Sequence, residues 1–268
     1  MQTGKPVQHT AGTSERPAFA PGRSPARAAP LPPLRLSDGQ DSTPIIENFI
    51  RQKSRGSELR ILEAGCGARW RLRLEGTPYR LTAVDIDRQA LEIRKTAVRD
   101  VDEIIVGDLR TTSLFAANSF DVIYNSFVLE HIAGAQQVLD NFTSWLAPGG
   151  LLILKFPDRD SVYGFFTRLS PFWLHVLYKK YVEGVRTAGQ PGYGPYPTHY
   201  DPVVSRRGIH RYCSNHGCTV QHEAGFAGYL PDSPLAGTLA RTLVKSVAAL
   251  SFGRLDWRYN NLTFVIEK

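Results

Sequence analysis

The sequence predicts an α/β protein built on a mostly parallel sheet with helices on both faces. Three observations carry that expectation. Short apolar runs recur at 60–64, 81–85, 104–106, 120–124, 151–156 and 262–266, and stretches of helical periodicity lie between several of them. The first run empties into a glycine turn, Glu63-Ala64-Gly65-Cys66-Gly67, and the second ends on Asp85. Strands that are apolar throughout, rather than alternately, belong to sheets buried on both faces, and parallel strands need crossover helices to join them.

Taken in order, residues 1–40 are rich in Pro, Ala, Gly and Arg, lack the apolar core of a secretory leader, and read as a disordered tail. The principal domain is expected over 41–268, a length that suits one α/β core with embellishments. A helix begins where Thr43 caps it, Pro44 takes the first position, and Ile45, Ile46, Phe49 and Ile50 share a face; Gly56 ends it. After the strands at 60–64 and 81–85 a helix opens at Asp87, with Ala90, Leu91 and Ile93 inward. Asp87 reads as its cap rather than as a ligand. Strands at 104–106 and 120–124, a helix over 129–146 and a strand at 151–156 continue the alternation.

The pattern then breaks. Residues 157–200 are aromatic and rich in Gly and Pro, with a short helix around 173–181, and read as a lid or substrate insertion, because long connections in compact domains are uncommon unless they bind something. A helix capped by Ser205 and stopped at Gly217, a strand at 218–222 and a helical insertion at 230–255 lead to the last strand. Leu235, Leu239, Leu243, Val247 and Leu250 mark the apolar face of that late helix. Arg241 and Lys245 lie opposite, a pattern that suits peripheral contact with an anionic membrane.

Composition narrows the function. The formal charge is +7, yet Lys5, Arg16, Arg23, Arg27 and Arg35 place part of it in the tail, and no nucleic-acid-binding signature accompanies it. Nucleic acid is therefore not the expected partner. Three cysteines do not make a disulfide framework, and no run of 18 apolar residues occurs, so a reducing, cytoplasmic setting is expected. His210, Cys213, His216 and Cys218 have zinc-ligand chemistry, but packing on one helical face explains their spacing, and no metal site is expected.

The glycine turn lets a ligand approach the backbone, and Asp85, 18 residues after Gly67, can accept both hydroxyls of a ribose. A dinucleotide fold would use the same opening. Its fingerprint needs a third small residue where this chain has Trp70, which argues against a pyrophosphate. Cys66 reads as a space-filling residue. Then come Gly107-Asp108-Leu109, the strand Phe120-Asp121-Val122-Ile123, the run from Asn125 and Ser126 to Leu129-Glu130-His131-Ile132, and Leu146-Ala147-Pro148-Gly149-Gly150.

Over about residues 58–156 this set, in order and spacing, resembles the class I S-adenosylmethionine (SAM)-dependent methyltransferases, especially the small bacterial type 11 group. The resemblance implies a Rossmann-like sheet of seven strands, the last antiparallel, and SAM as cofactor. It implies that Glu63, Gly65, Cys66 and Gly67 contact the methionine end, that Asp85 with Ile86 holds the ribose, that Asp108 with Leu109 holds the adenine, and that Asn125 and Ser126 line the methyl-transfer face. His131, just beyond that face, is the expected general base, with His199 and Tyr200 as weaker alternatives. The expected acceptor is a small or lipid-like molecule, methylated on oxygen, in a pocket to which the aromatic insertion contributes. A dehydrogenase, an aminopropyl transferase and a non-catalytic scaffold are the competing readings.

Overall fold

A computed structural model describes residues 31–37, 42–67, 70–181, 184–190, 194–226 and 234–268, with the side chains of 234–237, 239 and 240 left aside. Leu235 and Leu239 of the expected apolar stripe lie outside the described side chains. The chain divides at Pro33, and the unit from Pro33 to Lys268 holds all the elements that follow.

In chain order these are β1 (Arg35–Leu36), α1 (Thr43–Ser54), β2 (Leu59–Ala64), β3 (Tyr79–Asp85), α2 (Arg88–Ile93), β4 (Glu103–Val106), β5 (Phe120–Ser126), α3 (Ala135–Trp145), β6 (Leu146–Pro157), α4 (Val162–Leu169), α5 (Phe172–Tyr181), α6 (Arg206–His216), β7 (Thr219–Phe226), α7 (Pro234–Leu250) and β8 (Asn261–Glu267). One sheet runs β1-β7-β8-β6-β5-β2-β3-β4 among the described residues. β8 is antiparallel to β6 and β7, and every other pairing is parallel.

The sheet has eight strands, not the expected seven. The extra one, β1, comes from the end of the segment read as a tail: Arg35 and Leu36 lie parallel to Ala224 and Gly225 at the sheet edge. Two residues with no apolar alternation give no strand signal, and a neighbour supplies the order.

Side chains alternate across the sheet as the pleat requires. Leu62, Ala64, Ile123, Leu152, Leu154 and Phe264 meet Val138, Leu139, Phe142 and Trp145 of α3 and Ile209, Tyr212 and Cys213 of α6 on one face. Ile61, Val122, Tyr124, Ile153 and Val265 meet Ile46 and Ile50 of α1 on the other. Each Leu, Ile, Val or Phe among them contributes roughly 1.5–3 kcal/mol on leaving water.

Several ends differ from the expectation. Ser42, not Thr43, precedes α1, and its hydroxyl shares a hydrogen bond with Thr263 Oγ1 at 2.7 Å rather than capping. Ile93 is exposed, because at 100° per residue it stands 200° round the helix from the buried Leu91; a π turn follows at Arg94–Val98. The helix expected over 129–146 is split: a 3₁₀ turn at Leu129–His131 is followed, after Gly134 at φ +87°, by α3. The cap of α3 comes from far along the chain, Asp201, whose Oδ2 accepts the amides of Gly134 and Ala135 at 2.8 Å. Asp87 and Ser205 cap α2 and α6 as their sequences suggest. The insertion carries two helices, and α4 is held by Ser161, which accepts the Gly164 amide.

Candidate functional site

The strand order reverses between β2 and β5, and in an open α/β sheet ligands bind in the crevice beyond the carboxyl ends of the strands at that reversal. Ala64 of β2 pairs with Asn125 of β5, and Asn125 Nδ2 donates to Ala64 O at 2.8 Å across the junction. The glycine turn, Asp85, Asp108 and Ser126 follow the same ends of the parallel strands.

Gly65 has φ +73°, and a Cβ there would lie 2.4 and 2.6 Å from the Val128 methyls. Only glycine fits both constraints. Gly65→Ala should cost about 2 kcal/mol of stability, and Val128→Ala should recover part of it. Equal losses in the single and double variants, measured by urea unfolding, would show that Val128 is not the obstacle. Gly67, at φ +56°, has open space on its Cβ side, which leaves its backbone accessible.

Asp85 organises the turn. Oδ2 accepts the Gly67 amide at 3.1 Å and Oδ1 the Asp87 amide at 2.9 Å, and its main-chain oxygen accepts the Gly107 amide at 3.0 Å. A carboxylate oxygen has two acceptor positions, so each oxygen retains capacity for a hydroxyl donor. Asn125 Oδ1 is buried with no hydrogen-bond partner among the described residues. It is an acceptor awaiting a donor. The residues at the crevice therefore fit SAM: acceptors for a ribose diol, an orphan acceptor suited to an ammonium group, and a backbone kept open by glycine.

The other expected cofactor residues are placed unevenly. Glu63 is buried and turned onto Arg94, 2.5 Å from its Nη1, while Arg94 Nε donates to Asp100 at 3.0 Å. Burial lifts the Glu63 carboxyl above its ordinary range, against the pull of the Arg94 guanidinium. Cys66 packs with Ala83 and Leu91, and burial pushes its thiol up to about 12, which makes it unreactive. Asp108 is gripped by Arg110, Nη2 lying 2.6 Å from Oδ2, and these hydrogen bonds hold its carboxyl below the ordinary value. An adenine amine would share those oxygens. Ile86 stands exposed at the rim, Leu109 is buried in the core, and Ser126 is half-buried.

His131 lies in the 3₁₀ turn after β5. Its Nδ1 is 2.8 Å from Pro197 O, an oxygen that can only accept, so in the neutral ring Nδ1 carries the proton and Nε2 the lone pair. Burial lowers the pKa of the ring, which keeps it neutral. Tyr196 meets it edge-on. The main-chain oxygen of Glu130 accepts the His199 amide at 2.8 Å, so the end of the insertion is stitched over this turn. Tyr200 packs into the main core.

Three neighbours were not singled out by the sequence. Phe127 has φ +57°, an uncommon state for a bulky residue, immediately after β5. Lys155 is buried, with Phe127 and Phe226 rings 6.0 and 5.9 Å from Nζ. Glu130 is buried, its Oε1 3.8 Å from His131 Nε2 and its Oε2 without a hydrogen-bond partner among the described residues. Burial raises the Glu130 carboxyl from 4.5 to about 8. Backbone angles and depth of burial leave no single-residue signature in a sequence.

The raised Glu130 value has a stability consequence. The folded-state value exceeds the unfolded one, so the contribution of the neutral carboxyl is complete below about 4.5 and is lost as pH rises through about 8. Between pH 6 and 9 the melting temperature of the wild type should fall more than that of Glu130→Gln. Parallel curves would show that Glu130 is solvated.

Residues 210–218 show what their side chains do instead of meeting at one point. His210 Nε2 lies 2.7 Å from Glu223, His216 stacks on Tyr212, and Cys213 is buried.

Residues 62–154 match the family described as "Methyltransferase domain". Over 120 residues the chain is 28% identical to the malonyl-[acyl-carrier protein] O-methyltransferase of Halalkalibacterium halodurans, covering 42% of this chain and 44% of that protein. Over 108 residues it is 33% identical to the ubiquinone biosynthesis O-methyltransferase of Parvibaculum lavamentivorans, covering 38% and 42%. The chain thus spans less than half the length of these curated relatives. Among solved structures, an S-adenosylmethionine-dependent methyltransferase from Mesorhizobium loti superposes with a TM-score of 0.51 at 15% identity, covering 86% of this chain and 99% of that one. A SAM-dependent methyltransferase from Methanosarcina mazei gives 0.51 at 16%, covering 84% and 97%. At these identities the structural likeness speaks for the fold.

Proposed function

We propose that this chain, a class I SAM-dependent methyltransferase by its domain and its fold, transfers a methyl group to an oxygen of a small or lipid-like acceptor. The observation that carries the reading is the crevice itself: Asp85 clasping the Gly67 amide, with the orphan Asn125 Oδ1 across the strand reversal. Both curated relatives are named as O-methyltransferases, which supports oxygen as the acceptor atom.

SAM, when bound, supplies an electrophilic methyl group. The protein's task is then to align a nucleophile with the breaking carbon–sulfur bond, and alignment alone reaches effective molarities on the order of 10⁵ M or more. In this reading Asp85 takes the ribose hydroxyls, Asn125 and the backbone at Gly65 and Gly67 take the amino-acid end, and Asp108 with Arg110 borders the base. The neutral His131 ring removes the acceptor proton through Nε2, with the nearby Glu130 carboxyl as its only close acidic neighbour among the described residues. His131→Ala should lower turnover by about 10²-fold while SAM affinity changes little. Equal turnover in both proteins would leave His131 as a fastening for Pro197.

The acceptor is best sought by incubating the full chain and SAM with metabolite and lipid extracts and searching by mass spectrometry for products one methyl group heavier. Products confined to nitrogen or carbon methylation would overturn the O-methyl assignment.

A further inference from the structure

The insertion after β6 contains a helix that is folded inside out. Projected at 100° per residue, α5 gathers Trp173, Leu174, Leu177, Tyr178 and Tyr181 on one side, and all five are exposed, Trp173 at 61% and Tyr181 at 73%. The half-buried side instead carries His175, Val176 and Lys179. Val176 is fitted closely against Gly189, and His175 Nε2 lies 2.6 Å from Ser170 Oγ, so the orientation is fixed by contacts on the inner side. A surface helix ordinarily does the opposite. Leu169, at the end of the preceding α4, is also exposed.

The surroundings select an occupant. Between residues 161 and 200 the charged residues are Arg168, Lys179, Lys180 and Arg186 against Glu183 alone. Lys180 is exposed beside the apolar side, with its Nζ 5.9 Å from the Tyr181 ring. Trp and Tyr rings favour the headgroup level of a bilayer, where one end is apolar and the other wet, and lysine adds attraction to anionic headgroups. A second copy of this face would bring like charges together. A helix of ten residues is too short to span a bilayer, and no described helix is long and apolar enough to cross one.

We propose that α5 docks the protein on an anionic lipid surface, lying in the interface with Trp173, Leu177 and Tyr181 inserted and Lys180 at the headgroups. The contact then falls on α5 and not on the late helix, whose sequence pattern suits membrane docking and ordinary packing alike. Docking is separable from methyl transfer and is read without SAM or acceptor.

The test uses the full chain and vesicles of phosphatidylcholine with and without phosphatidylglycerol, followed by co-sedimentation and by quenching of tryptophan fluorescence with brominated lipids. Binding should be stronger to the anionic vesicles. W173S/L177S/Y181S should lower it by about tenfold or more. Lys180→Gln should lower it about fivefold on anionic vesicles only. Trp173→Phe should retain binding and lose most of the quenching. Circular dichroism checks that each variant folds; if the triple variant does not, the two single variants still decide. Wild-type binding by the triple variant, undiminished quenching in Trp173→Phe, or no vesicle binding at all would overturn the proposal. So would a dimer that the triple variant dissolves in the absence of vesicle binding, since a second copy would then cover the face.

Discussion

Arg94→Ala should destabilise the folded protein by about 3 kcal/mol or more, with a melting temperature lower by about 6–12 °C. Arg94 is fully buried, yet its guanidinium cannot shed its charge; it is tolerated because Glu63 and Asp100 accept from it. Asp100 in turn accepts the Trp70 amide at 2.6 Å, so one cation joins the end of β2, the π turn after α2 and the segment beyond the glycine turn. Truncation removes the cation, leaves Glu63 buried without its partner and opens a cavity. Replacing both members, Arg94→Met with Glu63→Gln, should regain most of the loss, because an apolar substitute of similar volume carries no desolvation cost. A loss below about 1 kcal/mol for Arg94→Ala would mean that water reaches the pair.

Asp85→Ala should weaken SAM binding by about 2 kcal/mol or more, roughly 30-fold, because the ribose hydroxyls lose a charged acceptor. The same carboxylate holds the Gly67 and Asp87 amides, so the turn loosens as well. Asp85→Asn keeps one acceptor oxygen and should lie between wild type and Asp85→Ala. Unfolding measured without ligand separates the two effects: a fall in affinity with unchanged stability assigns the loss to the ribose, and an unchanged affinity contradicts that assignment.

The half of the fold that makes the crevice was legible because its signals are local. Buried parallel strands are apolar runs, Asp87 and Ser205 cap through hydrogen bonds two or three residues on, and Gly65, Gly67 and Gly217 mark left-handed turns. The features that escaped depend on distant partners. Asp201 caps α3 from across the chain, β1 exists because β7 offers an edge, and the Arg94 partner of Glu63 lies 31 residues further on. The aromatic insertion shows the limit most clearly. Its composition suggested a lid that contributes to an acceptor pocket, and only the contacts of Val176 and His175 reveal which side of α5 faces outward.

Whether the crevice at the β2–β5 reversal is built for SAM is decided by calorimetric titration of the full chain with SAM, S-adenosylhomocysteine and NAD. Saturable binding of the first two, no binding of NAD, and loss of most of the SAM affinity in Asp85→Ala are expected. Binding of NAD without SAM, or SAM binding indifferent to Asp85, would contradict a SAM site there.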